Sequence, residues 1–578
     1  MRFGIFYEHQ LLRPWEDGAE ERLLNDALEQ VVIADRIGID HVWEVEHHFL
    51  EEYSHSSAPE VFLAAASQRT TRIRLGHGIV QLPPGFNHPA RVAERIATLD
   101  LISGGRVDFG TGEAGSQMEL GGFGVDREQK RAQWAEALDV VTRMMVEDPF
   151  AGHRGRFLSV PPRNVVPKPK QRPHPPLWVA CSRRDTILLA ARCGIGALSF
   201  SFVEPEEARR WVDDYHAIIA SEECVPAGFA VNPNVAVVLP FMCHPDEATA
   251  IERGIDGAHF FGYSLAHYYV FGDHRPGVTD VWEEFQANRS RRGFTREIVS
   301  AGAAPLGMKL LERGLGSLRG AIGTPAQVRE LLERYRAAGV DQVILVSQTG
   351  RTRHEHICES LELFGAEVLP HFAEQAEAEE AGKRERLGEH CERALRRRPP
   401  ARPPGAVDPG GYVVSTTGEP WTHAAPSAGA GGIREALARG ARSATRAALA
   451  AAVRGRSDAA VGRTVASPAG LWVLFQGMAR SFRPERAGGF HGDIQYVLED
   501  SRGGRAWYLR VEDGAARPRR GLAPVPALTF RMPAALFARI AAGEVRAERA
   551  LIEGTLTVEG DLALAQRLPE MFGDVSGF

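Results

Sequence analysis

The 578-residue chain is poor in cysteine, has no long apolar run and carries no excess of positive charge. Each shortage removes a class of protein. The six cysteines, Cys181, Cys193, Cys224, Cys243, Cys358 and Cys391, are scattered without the paired spacing of a zinc site or the density of a disulfide scaffold, and reduced thiols are expected. No stretch approaches the ~20 apolar residues that cross a bilayer, so stable membrane insertion is not expected. The opening MRFGIFYEHQ lacks the basic, apolar and small-residue segments of a secretory signal, and a cytoplasmic location is expected. Lys and Arg total 68 against 74 Asp and Glu, a net charge of −6 that offers phosphate backbones or anionic lipid no general attraction. A nucleic-acid partner is disfavoured. What remains, with 44% hydrophobic and 25% charged residues, is an ordinary globular composition long enough for two or three domains.

Over the first 372 residues short strand-like runs alternate with amphipathic helices, the pattern of repeated βα units around a parallel sheet. Strands are expected at Arg2 to Tyr7, His41 to Glu46, Ile73 to Leu82, Arg106 to Gly112, Leu177 to Cys181, Ala197 to Phe200, Val235 to Phe241 and Gln342 to Ser347. Eight such units predict an α/β fold, a TIM (β/α)8 barrel. In the first helix Leu24, Ala27, Leu28 and Val31 mark one face and Gly38 the stop. In the last, Thr324 caps, Pro325 takes the first position and Gln327 closes a capping box, ahead of the stripe Val328, Leu331, Leu332 and Tyr335. Two stretches, Phe150 to Pro176 and Gly254 to Gly320, exceed plain connections and are candidate active-site covers or solvent-facing insertions.

From 373 to 431 the composition turns to Ala, Glu and Arg and then to RRRPPARPPG and SAGAGG, which predicts a partly disordered linker. A second, smaller α+β domain is expected over 432–578. It would open on an Ala-rich helix, continue through strand-like LWVLFQGMA, GDIQYVLE and AWYLRVEDG, and end in helices.

The densest polar constellation is Glu44, Glu46, His47 and His48 in VWEVEHHF, at the C-terminal end of the second strand. That end of a barrel faces the mouth, where polar side chains meet ligands. A histidine there can move a proton near neutral pH, with a neighbouring carboxylate setting its tautomer. Structural hydrogen bonding is the plainer alternative. A metal site is disfavoured, because adjacent residues on a strand point to opposite faces.

Taken in order, FGIF, HVWEVEHHF, RIRLGHGIVQLPPGFNHPARVAERIATLDLISGGRVDFGTG and IGTPAQVRELLERYRAAGVDQVILV make the chain from Met1 to about Phe372 resemble the bacterial luciferase-like flavin-dependent monooxygenases. The resemblance implies reduced FMN as cofactor, supplied by a separate reductase, a C4a-(hydro)peroxyflavin formed with dioxygen, and a homodimer. It implies catalytic roles for His47, Glu46 and His48, cofactor contacts at His77, Gly78 and Gly112, and a strained non-proline cis peptide beneath the flavin at His77 and Gly78. The family's phosphate-binding Arg after the fourth strand is absent. FGTGEAGS follows Gly112 with Glu113, and the loop after the fifth strand, with Ser182, Arg183 and Arg184, is left to hold the phosphate together with a helix N-terminus. Within the family fold a deazaflavin (F420)-dependent oxidoreductase is a second reading. A flavin-free binding or scaffold protein and a metal-dependent hydrolase are others.

The segment from Ala444 to Phe578, sharpest at GTLTVEGD, resembles the sterol-carrier protein type-two fold, which implies lipid binding. Paired with the barrel, it points to a hydrophobic or carrier-borne small-molecule substrate. Leu536, Phe537, Ile540, Leu562, Leu564 and Leu568 read as core before ligand lining, and Leu551 to Glu559 as an approximate half-buried strand.

Overall fold

The computed structural model describes residues 1–199, 203–289, 320–402, 449, 452–499, 504–545 and 547–572. It falls into two compact units, Met1–His423 and Ala424–Phe578.

All eight expected barrel strands form: β1 (Arg2–Tyr7), β2 (His41–Val45), β3 (Arg74–Gln81), β4 (Val107–Gly112), β5 (Leu177–Cys181), β6 (Gly196–Ser199), β7 (Val235–Cys243) and β8 (Gln342–Val346). Phe200, at the expected end of β6, lies outside the described residues. The order around the sheet is β7-β8-β1-β2-β3-β4-β5-β6, every pairing is parallel, and β6 pairs back onto β7 to close the barrel. A short strand, Ala321–Gly323, adds to β7 outside the ring. The strands are buried almost throughout, as a parallel sheet covered by helices requires.

Local chemistry sets the connecting helices. Gly38 adopts φ +104 and ends helix Ala19–Ile37, its amide donating to the Ala34 carbonyl. Leu24, expected on the buried face of that helix, is exposed instead. Thr324 and Gln327 close the capping box of helix Pro325–Ala337, and Val328, Leu332 and Tyr335 bury its stripe. Where β3 meets β4 the backbones approach so closely that a Cβ on Gly110 would run into the His77 carbonyl.

The expected linker is corrected over its first part. Residues Leu369–Leu395 form one long helix on the barrel, since its charges find partners there. Buried Lys383 donates to Asp341 at 2.7 Å, and just beyond the helix Arg398 reaches Asp139 at 3.0 Å. Residues 403–448, with the rest of the expected linker and most of the expected Ala-rich helix, lie outside the described residues.

The second unit carries a five-stranded mixed sheet: β9 (Gly492–Glu499), β10 (Arg505–Glu512), β11 (Ala515–Arg520), β12 (Pro526–Pro533) and β13 (Thr557–Gly560), in the order β11-β10-β9-β12-β13. The segment LWVLFQGMA is a helix, Pro468–Arg480, and not a strand. Ser467 caps it, and Leu471, Phe475 and Met478 recur at helical spacing and are buried, Phe475 stacked on Trp507 and Phe537. The expected strand over Leu551 to Glu559 is likewise mostly something else. Ala547–Ile552 is helical, and only Thr557–Gly560 pairs with β12. Phe537, Ile540, Leu564 and Leu568 join the core.

Gly110→Ala should lower stability by about 1–3 kcal/mol, the usual cost of an added methyl in close-packed structure. In Gly388→Ala, mid-helix with nothing within 4 Å of the added carbon, stability should rise by up to about 1 kcal/mol. Urea unfolding of the two variants measures both.

Candidate active site

Parallel strands deliver their C-terminal ends to one face, and there the chain gathers acids around one imidazole. Glu8 follows β1, His47 follows β2, Gln81 closes β3, and Glu119 sits in a short helix, Gln117–Gly122, after β4. His47 Nδ1 lies 3.0 Å from Glu119 Oε1, and its Nε2 lies 3.5 Å from Glu8 Oε2. The same Glu119 oxygen accepts from Gln81 Nε2 at 2.6 Å and from the His48 amide at 3.1 Å. The His47 amide donates to the Ser56 carbonyl at 2.8 Å, so the ring is fixed at its root as well as its tip. Glu8 in turn accepts from the Tyr53 hydroxyl at 2.8 Å.

Burial alone would depress His47, but the charges of Glu119 and Glu8 and the hydrogen bond to Glu119 outweigh it and raise the imidazole to about 9. Burial pushes Glu119 up, and the charge and hydrogen bond of His47 more than reverse this, leaving the carboxyl below its ordinary range. Glu8 takes the opposite course. Burial lifts it to about 7 against the pull of His47 and Tyr53, with the negative charges of Glu44 and Glu119 adding to the rise. At neutral pH the site therefore holds an imidazolium, a carboxylate, and a second carboxyl near half protonation.

Glu46 and His48 stand beside this set. Glu46 accepts from the Gln81 amide at 2.7 Å and from Asn87 Nδ2 at 2.8 Å, tying the β2 and β3 loops together. His48 lies 3.3 Å from Glu46 and packs edge-on to Phe123 at the rim. Beneath them, Glu44 carries His9 at 2.9 Å and the Ser56 hydroxyl. The insertion after β7 reaches the same mouth. Its π-helical turn His267–Phe271 brings the Tyr269 ring edge-on to His47 at 6.4 Å, and Gly115 leaves room for that ring, since a Cβ there would meet it at 2.6 Å. Of the stretch 254–320, expected as either a cover or a solvent-facing insertion, the described turn at Tyr269 thus lies against the site. Residues 290–319 lie outside the description.

The cofactor-binding residues expected from the resemblance separate. The cis peptide bonds among the described residues all precede proline, so the one expected at His77–Gly78 is corrected; strand pairing instead shifts register at this place on both sides of β3. The His77 side chain is buried, its nearest charges being Glu60 and Arg95 on the surrounding helices, and burial holds it down at about 4. It therefore faces away from His47. Gly112 is a packing glycine, because a Cβ would overlap Ile79. Ser182, Arg183 and Arg184 are exposed after β5, Arg183 as the residue before helix Arg184–Arg192 and Arg184 on Asp214 at 2.9 Å. Glu113 is paired with Arg131 at 2.9 Å and Lys130 at 3.9 Å, both from the start of helix Lys130–Val146, and the positive charge of Arg183 bears on the same Lys130. Glu8, Glu119, Tyr53, Lys130 and Arg131 escaped the sequence reading. Glu8 could have been found as the acid directly following β1. Among the described residues no cluster of His, Cys, Asp or Glu is fit to hold a metal ion.

Comparison with known proteins identifies the families of both parts of the chain. The luciferase-like monooxygenase family model matches residues 1–342, and the SCP-2 sterol transfer family model matches residues 477–573. Protein y4vJ of Sinorhizobium fredii is 24% identical over 350 residues, covering 60% of this chain and 91% of its own. The oxygenase component of a flavin-dependent trigonelline monooxygenase from Acinetobacter baylyi is 32% identical over 184 residues, 31% of this chain and 49% of that protein. The chain thus spans about half the length of that relative. The crystal structure of monooxygenase RslO1 from Streptomyces bottropensis superposes with a TM-score of 0.50 at 26% identity, covering 64% of this chain and all of that one. The chain belongs to the luciferase-like monooxygenase family, with an SCP-2 domain at its C-terminal end.

Proposed function

We propose that the barrel binds reduced FMN delivered by a separate flavin reductase and, with dioxygen, transfers one oxygen atom to a hydrophobic or carrier-borne small molecule. The observation that carries this reading is His47, an imidazolium clamped between Glu119 and Glu8 at the barrel mouth. Side chains alone do not activate dioxygen; the bound reduced flavin would supply the electrons.

The residues present fit such a group. Buried polar atoms without a hydrogen-bond partner, Glu119 Oε2, Gln81 Oε1 and Ser199 Oγ, lie at or just beyond the mouth ends of the barrel strands, as atoms awaiting a polar ligand would. Arg183, Arg131 and Lys130 are the candidates to hold the phosphate, with Ser182 and Arg184 at the edge of the same loop. Any contact from His77 and Gly78 would come through the main chain. His47 is raised far enough to be a proton donor at neutral pH, which favours donation over the role of base. The donated proton would leave from Nε2, the atom with the looser partner, and Glu8, near half protonation, is placed to replace it. Tyr53 and Tyr269 line the approach and exclude water. Glu46 and His48 position the loops.

A reductase partner is supported by the trigonelline relative, described as an oxygenase component. A homodimer is carried over from the family resemblance.

The reaction class is tested by mass spectrometry of products formed under labelled dioxygen with reduced FMN and a panel of acyl, aldehyde and aromatic substrates. One labelled atom in product is expected. Turnover without oxygen uptake when reduced F420 replaces FMN would transfer the barrel to hydride chemistry. His47→Asn should cut oxygenation about 10²–10⁴-fold while flavin reoxidation continues.

Protonated His47 is the active form on this reading, so activity should fall as pH rises through about 9. The stability it adds is complete below its unfolded value, near 6.5, and is likewise lost as pH climbs through about 9. Glu119→Gln should bring both limits down by roughly one to two pH units. NMR titration of the His47 ring checks the shift in the free protein; an unmoved midpoint would refute the clamp.

A further inference from the structure

We infer that the second unit docks on an anionic lipid surface through the end of its sheet where Trp472, Val473, Leu522 and Val525 stand out. They are 53%, 60%, 72% and 83% exposed, and among the described residues of this unit they are the exposed large hydrophobic side chains. They fall on two segments only. The chain brings those segments to one end. Helix Pro468–Arg480 lies on β11, and the turn that starts it is fixed to the beginning of β10, where Arg505 Nη1 donates to the Ala466 carbonyl at 2.8 Å. The loop 521–525 departs from the same place, with the Gly521 amide donating to the Ala506 carbonyl at 2.9 Å.

The loop is anchored. The Ala523 amide donates to the buried Gln495 side chain at 2.6 Å, and Ala523 itself is buried, while Leu522 and Val525 on either side project outward beside Pro524 and Pro526. Apolar side chains presented on a fixed, proline-stiffened loop lose little freedom when they enter an apolar phase. Around them the charge is positive. Arg519 and Arg520 are exposed at the end of β11, the latter over the Trp507 ring, and Arg505 adds a third guanidinium. Glu499 stands by the start of β10, and Arg517 is engaged by Glu512 further along the strand.

Apolar tips ringed by arginine suit the boundary of a bilayer, where the tips enter the acyl region and the guanidinium groups stay among phosphates. A second copy of the chain is a poorer occupant, because two-fold pairing would set like charges against one another. The chain as a whole carries −6, so an anionic surface would attract this end and repel much of the rest, which also orients the protein. Docking there would let the unit collect an apolar molecule from the membrane without insertion of any helix.

The test is co-sedimentation of the full chain with phosphatidylcholine vesicles with and without phosphatidylglycerol. Retention should require phosphatidylglycerol and weaken with salt. Arg519→Gln with Arg520→Gln should lower the partition coefficient roughly thirtyfold, about one kcal/mol per charge. Leu522→Ser alone should lower it at least about tenfold. All three positions are exposed, and an unchanged thermal midpoint would verify the fold of each variant. Equal retention on both vesicle types, no retention, or variants that bind like the parent would overturn the proposal. So would self-association in light scattering that Leu522→Ser abolishes, since the patch would then join two copies. None of these readouts depends on the oxygenation reaction.

Discussion

A single imidazole held between two buried carboxylates organises the barrel mouth. Four glutamates, Glu8, Glu44, Glu46 and Glu119, converge there in a space from which water is largely excluded. Without a cation the set would be untenable, because ionised carboxylates that close in a low-dielectric site cannot all keep their charge. His47 supplies the cation. Glu119 has the tighter geometry and stays ionised, and Glu8, with the longer contact, is left to titrate near neutrality. The division of labour between two chemically identical acids thus comes from half an ångström of distance and the company each keeps.

The backbone shows the cost of assembling this set. Among the described residues of the barrel unit the non-glycine residues with positive φ are His9, Phe49, Glu51 and Ala114, at +54, +65, +37 and +58. All four lie in loops that follow β1, β2 or β4 at the mouth. Strain gathered at one end of a barrel marks loops whose course is dictated by what they must present. His9 turns its ring onto Glu44. Glu51 accepts from Arg13 and from the Gly277 amide of the distant insertion, so the β2 loop also holds the cover in place.

The barrel was legible because its strands are written as short apolar runs with capped helices between them, and His47 stood out as a candidate because it is a histidine flanked by acids at a strand end. The partners were not legible. Glu8 and Glu119 stand about forty and seventy residues from His47 in sequence, and only closure of the barrel brings them to it. In the second unit, Leu471 to Ala479 reads equally well as strand or helix, since a short apolar run carries both periodicities. The Ser467 cap and the packing of Phe475 between Trp507 and Phe537 decide for helix. The Leu369–Leu395 helix was missed for the opposite reason. Its Ala, Glu and Arg composition looks unfoldable alone, but Lys383 is complemented by Asp341 of the barrel, and Glu379 by the Met1 amino group and Arg336.

Glu113 teaches the same lesson about electrostatics. Taken alone, a carboxylate at the place of a phosphate-binding arginine argues against an anion site. In the fold it pairs with Arg131 and Lys130, and Arg127 and Arg183 lie close enough to act on Lys130, so the carboxylate is set among several cations. Those two partners come from the start of a helix seventeen residues later in the chain. What a phosphate would experience is the sum over the loops that converge, and the sign at one position does not fix it.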